Sequence, residues 1–238
     1  MTSTGAEGGA AAGKAAKAAD GSPVAPPRRA RTNKAAAISH AACVVFGRDG
    51  YSRASIDTIA AEAGASTRTL YNHFPGGKEE LFRTVVQWSS GQVRDAQLAL
   101  LERYLDVNRL PQAPDLERDL LALARAWVGL MAEFRNHFSL VRHIYAEAGH
   151  VPAEVLDAWQ EAGPRAVGRR FAVAMGVLGD AGLVDVHGDP AQAAAHFMTL
   201  TSTDIVHRSY WGVSPLPTAE TDRLTAVGVR VFLRAYGR

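Results

Sequence analysis

The chain has 238 residues, of which 47% are apolar and 21% are charged, values that are ordinary for a soluble globular protein. No apolar run approaches the roughly 18 residues that a membrane-spanning helix needs, and a single cysteine, Cys43, excludes an internal disulfide. No apolar core of a secretory signal follows Met1, so these features together favour the cytoplasm.

The net charge of +2 is unevenly distributed along the chain. Residues 28–83 contain nine lysines and arginines against five acidic residues, a net charge of +4, whereas residues 84–238 contain fifteen against seventeen, a net charge of −2. A basic front section is typical of a DNA-binding head, because cations that neutralise phosphates release counterions. A merely solvated basic face would show the same imbalance.

Residues 1–27 consist mainly of Ala, Gly, Ser and Pro. Such a segment cannot bury enough apolar surface to offset the entropy of ordering, so we predict a disordered tail. Arg28, Arg29 and Arg31 follow as a short basic arm, which either lies along DNA or is the solvated end of the tail.

Beyond the tail, helical periodicity predicts an all-α protein. The apolar spacing from Ala37 to Phe46 predicts a first helix that ends within Gly47–Gly50. Further helices are predicted from Lys78 to about Asp106, from Leu120 to Phe134, from Phe138 to near Gly149, from Pro152 with a kink or restart at Gly163–Pro164, from Ala194 to Ile205, and from Leu224 to Ala235. Loops are expected at 108–114, 187–190 and 211–217, and no alternating run predicts a strand.

Residues 55–74, SIDTIAAEAGASTRTLYNHF, form a compact module with the features of a helix-turn-helix. Ser55 and Ser66 are placed to cap two short helices, and Gly64 lies in the turn between them. The inward residues are Ile56, Ile59, Ala60 and Ala63 on the first helix and Leu70 and Phe74 on the second.

The outward side of the second helix favours DNA recognition. It is expected to present Thr67, Arg68, Thr69, Tyr71, Asn72 and His73. These side chains offer hydrogen-bonding groups suited to base edges and phosphates. They include no carboxylate, whereas an ordinary solvated helix face would mix Glu with Lys.

The stretch from Thr32 to Val86 resembles the TetR family. The matching residues are Ile59-Ala60, Ala63-Gly64-Ala65-Ser66, Thr69-Leu70-Tyr71, His73-Phe74, Lys78-Glu79 and Leu81. The resemblance implies a homodimer that places two recognition helices in successive major grooves of a palindromic operator. It also implies phosphate contacts from Ser55, Thr67, Tyr71, His73 and Lys78, and base contacts from Arg68, Thr69 and Asn72.

Two departures from the family pattern affect these contacts. Arg68 stands where the family often has a small residue, so its guanidinium could add a contact to guanine. Three residues, Pro75-Gly76-Gly77, separate Phe74 from Lys78 where two are commoner, which changes the expected placement of Lys78.

The C-terminal half resembles the AefR-like branch of the family, through residues 138–144, 161–164 and 232–237. We therefore expect a DNA-binding domain at 28–77, a connecting helix at 78–106, and a ligand-binding and dimerisation domain at 115–238. The resemblance implies that the last two helices pair across the dimer, and their apolar stripes are what a self-complementary interface needs. The candidate dimer residues, which could instead belong to the core of one chain, are Leu200, Ile205, Leu224, Val227 and Val231.

Bulky apolar residues of the body are candidates for a ligand pocket, because helix bundles build such sites from facing side chains. They are Trp127, Met131, Phe134, Phe138, Tyr145, Trp159, Phe171, Met175 and Phe197. Ordinary core packing is the alternative for each of them. A site of this composition would take a small, mainly apolar effector.

These expectations describe a ligand-responsive transcription regulator without a cofactor. A repressor is the favoured form, released when the effector swings the helix that begins at Lys78; an activator of the same family is the alternative. One rival is a helical metal-dependent enzyme that uses His143 and Glu147, with His150 nearby. The other is a helical adaptor whose helix-turn-helix binds protein.

Overall fold

The computed structural model describes residues 28–238, with side chains from residue 33 onward. The predicted tail therefore lies outside the described residues, as do the side chains of the basic arm, Arg28, Arg29 and Arg31. In the part that is described, regular structure is helical, and the extended backbone amounts to one isolated bridge between Val184 and Gly237. None of its helices is long and apolar enough to cross a membrane.

Eleven α-helices follow one another in the described part of the chain, which confirms the all-α prediction. They are α1 (Arg28–Arg53), α2 (Ile56–Glu62), α3 (Thr67–His73), α4 (Gly77–Tyr104), α5 (Leu116–Glu133), α6 (Arg135–Ala146), α7 (Ala153–Gln160), α8 (Ala166–Asp180), α9 (Pro190–Met198), α10 (Asp204–Arg208) and α11 (Thr218–Tyr236). Short 3₁₀ turns lie at Ala113–Asp115 and Ala148–His150, and π-helical turns at Glu161–Arg165 and Thr199–Thr203.

Two glycines near the end of α1 differ in role from the prediction. The helix continues through Gly47, where a side chain would press on the backbone of α6, so this glycine permits close helix packing instead of ending α1. The kink falls at Gly50, which has a φ of 81° in the left-handed region that favours glycine. One further turn follows, to Arg53.

The predicted break at Gly163–Pro164 is a π-helical turn between α7 and α8. A π-helical turn accommodates proline, because the widened turn relieves the clash with the preceding carbonyl. A second π-helical turn joins α9 to α10, which the sequence pattern had placed in one continuous helix.

The apolar core is continuous from the helix-turn-helix into the body. One buried cluster contains residues of both the N-terminal helices and the body. Its members include Ile38 and Phe46 of α1, Leu70 of α3, Phe82 of α4, Ile144 of α6 and Trp159 of α7. A second cluster joins the C-terminal half of α4 to α5, α8, α9 and α11. The N-terminal helices are thus packed directly on the body, and α1 runs along α6.

Candidate nucleic-acid interface and ligand cavity

Two serine caps define the helix-turn-helix. The Ser55 hydroxyl accepts a hydrogen bond from the Thr58 amide at 3.0 Å, and the Ser66 hydroxyl accepts one from the Thr69 amide at 3.1 Å. Each bond satisfies a backbone donor that the first turn of a helix leaves free. Gly64, with a φ of 56°, supplies the left-handed turn between α2 and α3.

Helix α3 presents a polar side to solvent and an apolar side to the core. Arg68, Tyr71 and Asn72 are exposed, whereas Thr67, Thr69 and His73 are half-buried. Leu70 is fully buried and Phe74 is 6% exposed. The two apolar anchors fix the rotation of α3, so Arg68, Tyr71 and Asn72 are the groups best placed to enter a groove.

Two predicted phosphate contacts are also engaged within the chain. The Lys78 ammonium donates to the carbonyl oxygens of Ser52 at 3.3 Å and Ala54 at 3.2 Å, and it lies 4.6 Å from the centre of the Tyr51 ring. The Ser55 hydroxyl, besides its capping role, is 2.8 Å from the Thr58 hydroxyl. Lys78 therefore ties the start of α4 to the turn before α2.

The body contains a partly open cavity of about 610 Å³ between α4, α5, α6, α7, α8 and α9–α10. Its aromatic lining consists of Trp127, Phe138, Tyr145, Trp159, Phe171 and Trp211. Its hydrogen-bonding lining consists of Ser90, Gln97, His137, Ser202, Thr203 and His207. No Asp, Glu, Lys or Arg is found among the described residues that line it. The cavity thus suits an uncharged molecule with aromatic surface and a few polar groups.

Five of the nine predicted pocket residues line this cavity: Trp127, Phe138, Tyr145, Trp159 and Phe171. The structure places the other four elsewhere. Met175 and Phe197 are buried in the second apolar cluster, because α8 and α9 pack these faces on each other. Met131 packs with Val128 and Ile205, and Phe134 lines a separate, smaller cavity of about 380 Å³.

Trp211 is a cavity residue that the sequence analysis assigned to a loop. It follows Tyr210 and precedes Gly212, and all three have positive φ, of 57°, 52° and 81° respectively. Left-handed backbone is costly for the two aromatic residues, and such outliers concentrate at functional sites. The Trp211 ring lies 5.5 Å from that of Tyr145 and 5.6 Å from that of His207. An aromatic pair beside a glycine in a loop is the signal that could have found it.

Both π-helical turns border the same cavity, through Gly163 and Pro164 of one and Ser202 and Thr203 of the other. Irregular turns of this kind are frequent at binding sites, because they re-aim side chains within a helix. Ser202 and Thr203 were not predicted as cavity residues, because only bulky apolar side chains were candidates for the lining.

His137 is a neutral polar group in the cavity wall. Burial lowers its pKa to about 4. Its Nδ1 lies 3.2 Å from the Ser89 hydroxyl, within hydrogen-bond distance. A neutral imidazole has one nitrogen that donates and one that accepts, so His137 brings both a donor and an acceptor to this part of the cavity wall.

The candidate dimer residues divide between surface and core. Leu200, Val227 and Val231 are 38%, 38% and 40% exposed, large values for aliphatic side chains. Ile205 of α10 is buried against Val128 and Met131 of α5 within this chain. Leu224 is half-buried against the same small cluster.

Candidate centres of catalysis have other roles in the structure. Both the amide and the hydroxyl of Ser52 donate to the Glu147 carboxylate at 2.8 Å, and His143 Nδ1 is 3.6 Å from its other oxygen. Among the described residues, no group of His, Cys, Asp and Glu is arranged to hold a metal ion. Cys43 of α1 is buried in the apolar cluster that the helix-turn-helix shares with the body, and burial raises the pKa of its thiol to about 11.

Comparison with known families identifies both halves of the chain. Residues 38–85 match the profile described as bacterial regulatory proteins of the tetR family. Residues 118–238 match the profile of the C-terminal domain of AefR-like transcriptional repressors. Comparison with curated protein sequences gave no significant match.

Solved structures agree with this assignment. A protein from Mesorhizobium loti assigned to the TetR family of transcriptional regulators is 30% identical over 90% of this chain and all of its own, with a TM-score of 0.75. The flavonoid-responsive regulator FrrA is 26% identical over 87% of this chain and 98% of its own, with a TM-score of 0.63. SmeT, the repressor of the Stenotrophomonas maltophilia multidrug efflux pump SmeDEF, shares the fold at 20% identity, over 86% of this chain and 90% of its own, with a TM-score of 0.60.

The fold and the helix-turn-helix define a DNA-binding transcription regulator, a class that is not enzymatic. The chain belongs to the TetR family, and its C-terminal region to the AefR-like branch.

Proposed function

We propose that this chain is a ligand-responsive repressor of the cytoplasm that binds a palindromic operator as a homodimer and is released by a small, uncharged, largely aromatic effector. The observation that carries the proposal is α3, which exposes Arg68, Tyr71 and Asn72 while Leu70 and Phe74 hold it from behind. A helix held in this way can enter a major groove without rearrangement.

The proposed DNA contacts divide by exposure and chemistry. Arg68 and Asn72 have the donors and acceptors for bidentate contacts to guanine and adenine, and Thr69 is the third proposed base contact. Tyr71, Thr67, His73 and Ser55 are proposed to reach phosphates, which fix the register on the duplex. Lys78 is proposed to position the helix-turn-helix, because its ammonium is held by Ser52 and Ala54.

The cavity is proposed as the effector site. The aromatic rings of Trp127, Phe138 and Trp211 provide stacking surface, and the neutral lining disfavours a charged ligand that would lose its hydration without a counter-ion. FrrA responds to flavonoids and SmeT forms a complex with triclosan, and both are relatives of the same fold. An uncharged ligand with aromatic rings is therefore proposed for this chain.

The dimer is proposed to form through α11 and the π-helical turn that precedes α10. Leu200, Val227 and Val231 are the proposed contacts, with Leu224 at the edge of the surface. A C2 interface repeats these residues on both copies, so it would bury six aliphatic side chains that one chain leaves exposed.

The experiment that tests this function is selection of bound sequences from random duplex DNA by the purified protein. A repressor dimer should recover a palindrome whose half-sites lie about one helical turn, 34–36 Å, apart. Titration of that complex with flavone, followed by gel shift and by tryptophan fluorescence, should quench emission and release DNA. Naphthalene-2-sulfonate, an aromatic anion, is the control and should do neither. Recovery of no enriched sequence would contradict the proposal.

A further inference from the structure

We infer that Glu147 is the positioning residue through which α6 couples the cavity to the DNA-binding head, by way of α1 and independently of α4. This inference rests on the proposed function, since it concerns how occupancy of that cavity changes DNA binding. It assigns a regulatory role to a carboxylate that lies outside both the recognition helix and the cavity lining.

The Glu147 carboxylate is bound to the head by two hydrogen bonds. Ser52 donates to Oε2 from its backbone amide and from its hydroxyl, each at 2.8 Å. Ser52 lies three residues before Ser55, the cap of α2. A movement of Glu147 therefore acts directly on the turn from which the helix-turn-helix begins.

The electrostatics keep this carboxylate charged. Burial by itself would raise the pKa of Glu147, but the two hydrogen bonds from Ser52, together with nearby His143 and Arg53, outweigh burial and lower it. Hydrogen bonds to an ionised acceptor are stronger than neutral ones. The link is thus maintained at neutral pH.

The surrounding backbone is shaped around Glu147. Gly50, at the kink of α1, has no space for a side chain, because a Cβ there would collide with Glu147 Oε1 and His143 Nδ1. Further back, a Cβ on Gly47 would lie 3.2 Å from the Asn136 carbonyl oxygen and 3.3 Å from Ser139 Cβ. Two glycines on one side of α1 therefore let it rest closely on α6.

The opposite face of α6 lines the cavity. Phe138, Val141 and Tyr145 border it, and Tyr145 is two residues before Glu147. A ligand that displaces these side chains shifts the rigid helix that carries Glu147 at its C-terminal end. The same helix thus contacts the effector site on one side and the head on the other.

Ser52 is in contact with both the end of α6 and the start of α4. Its amide is held by Glu147 of the body, and its carbonyl oxygen is held by Lys78 of α4. Removing the Glu147 carboxylate leaves the Lys78 contacts in place. The contribution of α6 can therefore be measured separately from that of α4.

The test uses a cavity substitution as the perturbation, so that no effector needs to be known. Val141→Phe adds an aromatic ring from α6 into the cavity. If that variant does not fold, the smaller substitution Val141→Leu is used in its place. The operator obtained by selection is titrated with Val141→Phe in three backgrounds: unchanged, Glu147→Ala and Glu147→Gln. Glu154→Gln, an exposed acid on α7, is the matched control background.

We expect Val141→Phe to change the operator Kd by at least about fivefold in the unchanged chain and less than about twofold in the Glu147→Ala chain. Glutamine retains an oxygen that can accept both Ser52 bonds, so Glu147→Gln should largely restore the effect. Glu154→Gln should leave it intact. An equal effect of Val141→Phe in all backgrounds, or no effect in the unchanged chain, would overturn the inference.

A second measurement needs no DNA. Hydrogen exchange of the amides at 50–55 should be altered by Val141→Phe when Glu147 is present. In the Glu147→Ala chain, exchange of these amides should be fast, and it should be the same with Val or Phe at position 141. If selection recovers no operator, the proposed function fails while this exchange result still decides the coupling; exchange unaffected by Val141→Phe would refute the coupling alone.

Discussion

Lys78 Nζ, at the start of α4, lies 3.3 Å from the carbonyl oxygen of Ser52 and ties the long helix to the turn before the helix-turn-helix. Gly77, with a φ of 64°, lies at the N-terminus of α4 directly before Lys78, and the Lys78 ammonium also donates to the carbonyl oxygen of Ala54 at 3.2 Å.

The positioning role of Lys78 is tested by salt dependence. Lys78→Met should weaken operator binding at every salt concentration, because the turn before α2 loses its ties to α4. The slope of log affinity against log salt should stay unchanged, whereas losing a phosphate contact lowers it by about 0.9. Gel shifts from 50 to 200 mM salt distinguish the two, and a reduced slope would assign Lys78 to phosphate.

His137 predicts a pH dependence of stability. Its pKa is about 4 in the folded chain and about 6.5 when unfolded, so below pH 6.5 the unfolded chain takes up a proton that the folded chain does not. The free energy of unfolding should therefore fall by about 2 kcal/mol more between pH 7 and pH 5 in the unchanged chain than in His137→Asn. Urea unfolding at both pH values measures this, and parallel losses in the two chains would contradict it.

Gly228 predicts a steric limit at the crossing of α11 with the π-helical turn at 199–203. A Cβ at Gly228 would collide with the Leu200 carbonyl group. Gly228→Ala should cost about 1–3 kcal/mol, as overpacking does. Gly129→Ala is the matched control, since nothing lies within 4 Å of a Cβ at that position of α5, and it should be neutral or stabilising. Equal effects of the two substitutions on thermal unfolding would show that α11 can shift.

The proposed dimer surface predicts the effect of paired charges. Val227→Glu with Val231→Glu should produce monomers in sedimentation experiments, because the symmetric surface would bring four carboxylates together. Val173→Glu, on an exposed position of α8, is the control and should leave assembly unchanged. Dimers that persist in the double variant would place the interface elsewhere.

The helix-turn-helix could be predicted from sequence because its signals are local. Ser55, Ser66 and Gly64 act within three or four residues of their own position, and the structure shows both caps and the left-handed turn. The end of α1 was predicted less well, because Gly47 is required for close packing on α6, which is distant in the sequence, and does not end the helix locally.

The cavity could be predicted only in part. Trp127 and Met175 have the same helical spacing and apolar character, yet one lines the cavity and the other is core, since the packing of α8 on α9 decides which face is covered. Trp211 reaches the cavity through a positive φ that no periodicity encodes. The two serine bonds to Glu147 join residues 95 positions apart, beyond any local pattern.

The most direct measurement of the central claim is operator affinity after Arg68, Tyr71 and Asn72 are replaced together by alanine. The substitution removes only exposed side chains and keeps the buried anchors Leu70 and Phe74. Circular dichroism and sedimentation of the triple variant should therefore match those of the unchanged chain. We expect binding of the selected duplex to fall to the level of random DNA, a loss on the order of 10³-fold or more. Sequence-specific binding that survives in the folded triple variant would show that α3 is not the recognition helix.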